Sequence, residues 1–557
     1  MDNTTVFGID LGTTHSCIAY VDEASGRPSV VTNKEGDLTT PSVVLFEDTN
    51  RVVGKEAKNG AVMYSERVVA MVKRQMGVPG WRFSYEDKEY TAEEISSYIL
   101  RRLVEDAEEA LGVAPKRVVI TCPAYFGSAE REATAKAGEI AGLDVLRVIN
   151  EPTAAAISYG VHAEGDQTVL VYDLGGGTFD VTMMEIEGGS VSVIATDGDH
   201  RLGGRDWDEA ILGYLAEQWQ QGSGSSDDPR NSEESLQDLW QRAEDGKRSL
   251  SARTEARITV SHDGVRVPVT LTRDKFDELT AHHLELTVEF TKAVLRFGEE
   301  QGKSTFDTLL LVGGSSKMPQ VAARLTKEFG VTPVLHDPDQ SVAKGAAIYG
   351  HKLALDELIE IETAKLLKDR GLDESDLDNA PSDVRQEAID NVSAETGIQA
   401  EHLTKTVNMT VSNVASHSFG IVAMDDSDGT RKEYISNLVF AQDKIPASET
   451  RTYGTVVANQ THVDLRIMEN TQRDVYTPME LGRSIGLATL TLSRGLPAES
   501  PVDVTFELTA DGRLKVTGRD LADQGKEIVA IIKTDNVLSD EELRQAMERS
   551  KGLKVTG

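Results

Sequence analysis

The stretch TVLVYDLGGGTFDVTMMEI, residues 168–186, decides the fold prediction, because it joins two strand-like runs through three consecutive glycines. Both flanks are rich in β-branched residues, so the sequence predicts a β-hairpin with its turn at the glycines. Glycine lacks a Cβ and accepts positive φ, so successive N–H groups can point at an anion. Asp173 and Asp180 flank the turn, and carboxylates beside a phosphate require a cation between them. The hairpin therefore predicts a metal-nucleotide site.

A second loop of the same design, DLGTTHS at residues 10–16, follows the first strand-like run of the chain. Either loop alone is a weak signal, since an ordinary hairpin turn has a similar composition. Two such units can hold one nucleotide between two lobes, with Asp10 and Asp173 on a hydrated Mg²⁺ and threonines bonding phosphate oxygens. A third glycine turn, GGSSK at residues 313–317, suits the adenosine or the α-phosphate.

Length and composition restrict the class of protein. At 557 residues the chain can hold two or three domains, and its 39% hydrophobic and 27% charged residues are ordinary for a globular protein. The sequence has no membrane-spanning apolar run and no export signal, so we expect no membrane partner. Cys17 and Cys122 fit a reducing compartment and predict a cytoplasmic location. The net charge of −34 argues against nucleic acid as a partner.

The pattern of strands and helices changes along the chain. Residues 1–352 alternate strand-like runs with amphipathic helical stretches such as 92–112, which predicts an α/β domain. Residues 353–409 combine acidic side chains with helical apolar spacing, which predicts an acidic helical insertion. Eight short alternating runs then predict a β-sandwich over residues 415–536, with a hairpin turn at 510–512.

Five stretches resemble signature blocks of the heat-shock protein 70 family, the DnaK-like chaperones. They are IDLGTTHSC (9–17), CPAYFGSAEREATAKAGEIAGLDVLRVINEPTAAAISYG (122–160), VYDLGGGTFDV (171–181), GDHRLGGRDWD (198–208) and LVGGSSKMPQV (311–321). The resemblance spans residue 5 to about 350 and resumes across 413–545. It implies a multidomain α/β plus all-β protein, in which a two-lobed actin-like (ribonuclease H-like) ATPase domain precedes a β-sandwich peptide-binding domain.

The resemblance also implies a role for each site residue in binding ATP or ADP and in hydrolysing ATP. The phosphate loops would contain Gly12, Thr13, Thr14, Gly175, Gly176, Gly177 and Thr178, with His15 beside them in place of the usual asparagine or tyrosine. Mg²⁺, K⁺ and water would be ordered by Asp10, Asp173 and Asp180. Lys73 matches the family's catalytic lysine and Glu151 its acidic partner, acting with Asp10, Asp173 and Thr178. The adenosine would lie against Glu244, Lys247, Arg248, Ser251, Gly313, Gly314, Ser315, Lys317 and Asp339.

Contacts with other proteins follow from the same resemblance. A hydrophobic cleft for extended, unfolded peptides would be formed by Met424, Tyr453, Val456, Val463 and Leu465. Pro123, Arg131 and Arg147 would relay the nucleotide state to that cleft and receive a J-domain co-chaperone. A nucleotide exchange factor is a further expected partner, and a monomer is the expected state.

Besides His15, the sequence departs from the family pattern in the linker, in the loop after Phe126 and at the C-terminal segment. Residues 410–414, TVSNV, stand where the family has a leucine-rich interdomain linker, so we expect weaker linker docking. Gly127 and Ser128 replace the usual Asn-Asp pair, which puts J-domain recognition in doubt. Residues 537–557 open with a capping box, which predicts a helix at the start of a truncated lid, and clients would then leave quickly.

These observations support one main hypothesis and two alternatives. The main hypothesis is an ATP-dependent chaperone that binds hydrophobic segments of unfolded polypeptides, with affinity controlled by slow ATP hydrolysis. The first alternative is a nucleotide-switched adaptor or exchange-factor-like module with little peptide-coupled ATPase, which the polar linker and the insertion favour. The second is an actin-like sugar or acetate kinase, in which the C-terminal sandwich would have no role.

Overall fold

The N-terminal part of the chain is built around a mixed sheet. The computed structural model describes residues 5–22, 25–160, 165–373, 377, 379–425, 432–493, 495–521, 526–530 and 538–557. Its first elements are β1 (Val6–Asp10), β2 (His15–Asp22), β3 (Arg27–Val30), β4 (Thr40–Pro41), β5 (Val43–Phe46), β6 (Asn50–Val53), α1 (Lys55–Gly60), β7 (Val68–Ala70), β8 (Phe83–Tyr85), β9 (Lys88–Tyr90), α2 (Ala92–Leu111), β10 (Arg117–Cys122), α3 (Ser128–Ile140), β11 (Asp144–Asn150) and α4 (Glu151–Gly160). The main sheet has the order β11-β10-β1-β2-β3, with β1 antiparallel to β2 and parallel to β10.

The next part of the chain repeats this arrangement. Its elements are β12 (Gln167–Leu174), β13 (Phe179–Glu187), β14 (Ser190–Asp199), α5 (Gly204–Ser223), α6 (Glu233–Ala252), β15 (Glu255–His262), β16 (Val265–Thr272), α7 (Arg273–Glu300), β17 (Thr308–Val312), α8 (Pro319–Phe329), β18 (Val334–Leu335) and α9 (Ser341–Asp369). The order β18-β17-β12-β13-β14 matches that of the first sheet, with β12 antiparallel to β13 and parallel to β17. Both glycine stretches are hairpin turns, as predicted, and they occupy equivalent places in the two sheets.

Local signals explain several of these elements. Helix α2 begins with a capping box, in which Thr91 Oγ1 accepts from the Glu94 N–H and the Glu94 carboxylate accepts from the Thr91 N–H. The helix ends at Gly112, whose φ of 71° is a conformation that favours glycine. In the second lobe, Phe179, Trp207 and other large side chains fill the core between the sheet and its helices.

The acidic insertion is helical, as expected, but its start differs from the predicted boundary. Helix α9 runs through residue 352 without a break, because it contains no proline to interrupt it. It is followed by α10 (Ser382–Thr396) and α11 (Ala400–Val407). The three helices share a small core that contains Ile359, Leu366, Val384, Val392 and Leu403.

The polar linker is part of a sheet. Residues Val411–Val414 form β19, which pairs in parallel with β14. Ser412 Oγ lies 3.0 Å from Ser192 Oγ, and the Thr410 N–H donates to Ser190 Oγ at 3.0 Å. Weak docking was expected from the small apolar area, yet backbone pairing and matched hydroxyl groups hold the linker on the N-terminal α/β domain.

The C-terminal domain is a β-sandwich. Its strands are β20 (Ser418–Asp425), β21 (Lys432–Val439), β22 (Lys444–Ile445), β23 (Ala447–Gly454), β24 (His462–Asn470), β25 (Tyr476–Pro478), β26 (Gly482–Thr491), β27 (Pro501–Leu508), β28 (Leu514–Asp520) and β29 (Lys526–Ala530). One sheet has the order β25-β21-β20-β24-β26, the other β23-β27-β28-β29, and β22 joins β19. Each predicted run contains a strand, and the predicted turn at 510–512 joins β27 to β28, but residues 531–534 of the eighth run lie outside the described residues.

The segment after the sandwich does not lie over it. Helix α12 (Asp540–Lys551) begins with the predicted capping box and packs on α3 through Leu538, Ala546 and Ile140. Strand β30 (Lys554–Thr556) then pairs in parallel with β6 of the N-terminal lobe. Val555, 3% exposed, belongs to the core of that lobe. This segment, expected to begin a lid, is therefore held on the N-terminal lobe, because its apolar side chains and backbone find partners there.

Among the described residues, no helix combines the length and the apolar character that crossing a membrane requires.

Candidate functional site

The two glycine hairpins meet in a cleft between the lobes. A Cβ at Gly176 would collide with the side chain of Thr14, and one at Gly177 with that of Thr13. Neither glycine, nor Gly175, adopts positive φ. Gly176 and Gly177 are therefore required by the close approach of the two turns, and the conformational freedom anticipated from the sequence is not used.

A cavity of about 730 Å³ opens beside these turns, within the size range of small-molecule sites. The predicted nucleotide-site residues that line it are Asp10, Gly12, Thr13, Thr14, His15, Lys73, Glu151, Asp173, Gly175, Gly176, Thr178, Glu244, Lys247, Arg248, Ser251, Gly313, Gly314, Ser315, Lys317 and Asp339. The structure places Gly177 and Asp180 behind this lining, where the Asp180 carboxylate accepts from the Tyr125 N–H at 3.0 Å. Residues far apart in sequence are thus brought to one cavity.

Carboxylates are crowded at the floor of the cavity. Burial raises the pKa of Asp10 to about 7, with Glu151 acting in the same direction and Lys73 opposing it. Burial, followed by Glu151, likewise raises the pKa of Asp180 to about 7. The pKa of Asp173 is raised well above its usual range by burial and by the neighbouring carboxylates. Such a group of acids stays ionised at neutral pH only with a cation nearby.

The donor set suits a hydrated cation. The described residues contain no group of three or more His, Cys, Asp or Glu side chains placed to hold a metal by themselves. Mg²⁺ commonly keeps several waters and takes one or two carboxylates together with substrate phosphates. Asp10 and Asp173 at the cavity floor fit that mode of binding, in which the nucleotide itself completes the coordination.

Lys73 lies in this acidic region and forms a buried ion pair with Glu151. Burial alone would lower the pKa of Lys73, but Glu151 and Asp10 outweigh it and raise the pKa above its usual value. The ammonium group therefore stays charged. It can offset negative charge that develops on a phosphoryl group in the cavity.

The second hairpin is supported by residues that sequence reasoning missed. The Arg74 Nε–H donates to the carbonyl of Gly177 at 3.0 Å, and its Nη2 pairs with Asp206 at 2.8 Å. Asp206 in turn accepts from the Gly203 N–H at 2.7 Å. The first turn of α5 adds the Arg205 N–H, which donates to the Gly176 carbonyl at 2.8 Å. These contacts hold the hairpin in its conformation without a bound ligand.

Ion pairs also join the walls of the cleft. Lys58 on α1 contacts Glu244 on α6 at 2.6 Å and thereby links the two lobes. Lys247 contacts Asp208 at 2.8 Å and donates to the Gly204 carbonyl at 2.7 Å. Four further residues that line the cavity were not predicted from the sequence: Lys58, Arg205, Asp208 and Trp240. Trp240 had a usable signal, because it lies one helical turn before Glu244 on the same face of α6. Arg205 and Asp208 had another, because both lie in the stretch 198–208 that carries the family resemblance.

The pKa of His15 predicts how the stability of the protein depends on pH. Burial lowers the pKa of His15 to about 4 from its ordinary 6.5, and Lys58 acts in the same direction. The unfolded chain therefore takes up a proton at His15 as the pH falls below about 6.5, whereas the folded chain does not. Stability from this group is present above that pH and is lost as the pH falls.

We expect the free energy of unfolding of the wild type to fall by about 1–2 kcal/mol more than that of His15→Asn between pH 7 and pH 5. Urea unfolding of both proteins at each pH measures the difference. Parallel pH dependences would show that His15 is not shielded from protonation.

The predicted peptide-binding residues differ in exposure. Met424 and Val456 are 48% and 47% exposed. Tyr453 and Val463 pack against the sandwich core, and Leu465 is only 3% exposed within it. In this arrangement Leu465 offers almost no surface to a ligand, so the full set would contact a peptide only after the sandwich opens locally.

The predicted coupling residues lie at or near the contact between the N-terminal α/β domain and the sandwich. Arg131 is buried, donates to Asn150 Oδ1 at 2.6 Å and lies against Gly512 in the β27–β28 turn. Arg147 lines a small cavity at the same contact. Pro123 directly follows β10, at the base of the loop that leads to this surface.

The Gly127–Ser128 loop is in contact with the sandwich. The Ser128 N–H donates to Glu469 Oε1 at 3.1 Å, and the missing Cβ of Gly127 leaves room for that carboxylate. Arg483 joins Glu469 and Glu130, at 2.7 Å in each case. The loop that the sequence analysis considered for a J-domain is thus engaged within the molecule in this arrangement.

The fold and the cleft define a two-lobed nucleotide-binding domain whose sheet continues into a β-sandwich. A family model described as "Hsp70 protein" matches residues 6–80, 78–359 and 388–555. The chain is 36% identical over 560 residues to the chaperone protein DnaK of Halobacterium salinarum, in strains R1 and NRC-1 alike, with 98% of this chain and 78% of each relative covered. The chain therefore belongs to the Hsp70 family of ATP-hydrolysing chaperones. Residues 360–387, which the family model does not match, lie in the helical insertion.

Proposed function

We propose that the protein is a chaperone whose affinity for unfolded polypeptides is controlled by ATP bound in the cleft between the two lobes. The observation that carries this proposal is the shared sheet: β19 joins β14 of the ATPase domain on one side and β22 of the sandwich on the other. A change in the cleft that moves β14 therefore acts directly on the sandwich. We assign the two lobes to the actin-like architecture, supported by their common strand order.

ATP hydrolysis would use the residues gathered in the cavity. Mg²⁺ would be held through water by Asp10 and Asp173, and when bound it would neutralise the phosphates and orient them. Thr13 and Thr14 can donate hydrogen bonds to phosphate oxygens from the first hairpin, and Thr178 from the second. Lys73 would stabilise negative charge near the terminal phosphate, and Glu151 fixes the position of that lysine. This positioning and charge stabilisation require no strong base, so turnover should be slow.

Several finer assignments remain part of this proposal. K⁺ would occupy the same acidic region, where Asp180 supplies a further carboxylate. Unfolded clients would bind at Met424 and Val456, which present apolar surface on the sandwich. A J-domain co-chaperone and an exchange factor are the expected partners, the protein would act as a monomer, and the cytoplasm is its expected location.

Single-turnover ATP hydrolysis tests the proposal, measured with and without a short unstructured apolar peptide while peptide anisotropy is followed on addition of ATP. We expect the peptide to accelerate hydrolysis severalfold and ATP to accelerate peptide release. Thr178→Ala serves as a control that should bind ATP and hydrolyse it slowly. If the hydrolysis rate is the same with and without peptide, and the peptide anisotropy does not change on addition of ATP, the adaptor hypothesis is favoured.

A further inference from the structure

The cations that line the cleft differ in whether a carboxylate neutralises them. Among the described residues, each lysine of the lining forms an ion pair: Lys58 with Glu244, Lys73 with Glu151, Lys247 with Asp208, and Lys317 with Asp339. Arg248 lies 4.0 Å from Glu244 and is largely exposed. Arg205 also lines the cavity. Within the described part of the chain, its guanidinium forms neither an ion pair nor a hydrogen bond with another protein group.

Two contacts fix the position of Arg205. It is the second residue of α5, and its N–H donates to the Gly176 carbonyl of the second hairpin at 2.8 Å. Its guanidinium carbon lies 3.1 Å from the ring centroid of Trp240 on α6. Stacking on an indole holds the planar guanidinium by its face and leaves the N–H groups at its edge free to donate. The nearby Asp208, one turn further along α5, is already paired with Lys247.

This arrangement leaves a positive charge without a partner. Burial lowers the pKa of Arg205 to about 10, with Asp208 opposing the shift, so the group remains protonated at neutral pH. A partly buried cation is stabilised when an anion accepts its hydrogen bonds. Since the lysines of the lining are already neutralised, a ligand anion entering the cavity meets in Arg205 a charged donor that is not paired with a carboxylate.

We propose that Arg205 is a further nucleotide-positioning residue, which binds the phosphate chain from the α5–α6 side of the cleft while Trp240 holds its guanidinium. The inference rests on the proposed function, because it requires a nucleotide in the cavity. The phosphate chain is the expected partner because Arg205 is anchored to the glycine hairpin, and the fork of N–H donors matches phosphate oxygens. A merely structural Arg205–Trp240 pair would instead only join α5 to α6.

Nucleotide affinity separates these two roles. Binding of ATP, ADP and adenosine is measured by calorimetry, in the presence of Mg²⁺, for the wild type and for Arg205→Gln, Arg205→Lys and Trp240→Leu. We expect Arg205→Gln to weaken ATP and ADP at least about tenfold and to leave adenosine unchanged. Arg205→Lys keeps the charge but loses the fork and the stack, so its loss should be intermediate, as should that of Trp240→Leu.

The matched control is Arg242→Gln, which removes a cation from the same helix as Trp240. Arg242 does not line the cavity and pairs with Asp238 at 2.6 Å. A second readout is indole fluorescence: ATP should change the emission of the wild type, and this change should be absent in Trp240→Phe. Equal losses for adenosine and ATP, or unchanged affinities in Arg205→Gln, would overturn this inference alone. A wild-type chain that binds none of the three ligands would overturn the proposed function as well.

Discussion

Replacing Asp173 by asparagine should reduce the single-turnover rate of ATP hydrolysis by about 100-fold and, at the same time, stabilise the ligand-free protein. Asp173 is buried at the cavity floor beside Glu151, Asp180 and Asp10, and these neighbours together with burial disfavour its charge. Asparagine keeps the shape and removes that charge. We expect the free energy of unfolding to rise by about 1–3 kcal/mol at pH 8 without Mg²⁺.

The gain in stability expected for Asp173→Asn depends on pH. The pKa of Asp173 is raised in the folded state, so its protonated form is accommodated at low pH and the cost of its charge appears as the pH rises. The stability gap between Asp173→Asn and the wild type should therefore widen from pH 5 to pH 8. Denaturant unfolding in the presence of a chelator measures this gap.

Asp197→Asn is the matched control for Asp173. Burial also raises the pKa of Asp197, to about 6, but Asp197 does not line the cavity. The control should gain stability and hydrolyse ATP at the normal rate. Normal hydrolysis by Asp173→Asn itself would remove Asp173 from the reaction, and a loss of stability would mean that its charge is already compensated.

Placing a carboxylate at residue 555 should release the C-terminal segment from the ATPase domain. Val555 is buried in the core of the N-terminal lobe, so Val555→Asp would leave an unpaired charge there at a cost of about 3 kcal/mol or more. Detachment of β30 from β6 avoids that cost. Amide hydrogen exchange at residues 554–556 and 50–52 should then accelerate by about 100-fold.

Lys554→Asp tests whether this effect arises from burial. Lys554 is the preceding residue of β30 and its side chain is exposed. Like Val555→Asp, this control makes the strand more negative. It should leave the amide hydrogen exchange of β30 nearly unchanged. Slow exchange in Val555→Asp would show that β30 is anchored mainly by other contacts, such as that between Arg549 and Glu94.

Features encoded within a few residues were predicted well from the sequence. The two glycine hairpins, helix α2 and the capping box at Ser539 each depend on signals close together in the chain. The alternating runs of the sandwich belong to the same class, because a half-buried strand has a period of two. The site residues that the resemblance implies likewise stand in short contiguous stretches.

Features that depend on a distant partner were not predictable. Strand β30 has only three residues, too few for a periodic pattern, and its partner β6 lies some 500 residues away. The cation–π contact of Arg205 with Trp240 joins two helices whose sequences contain no mark of the pairing. Linker docking was underestimated because apolar area was the criterion, whereas β19 is held by backbone pairing, which does not depend on side-chain character.

The linker strand has a consequence for dissecting the protein into domains. Strand β14 has ten residues, and β19 pairs with its outer edge at Val191 and Ser192. Further along that strand, the Gln442 side chain hydrogen-bonds to both backbone groups of Thr196. An ATPase domain truncated before residue 410 would lose β19 and Gln442, and the edge of β14 would expose unpaired N–H and C=O groups. Open edges of this kind recruit strands from other molecules. The segment that connects the two domains thus also protects the first of them from self-association.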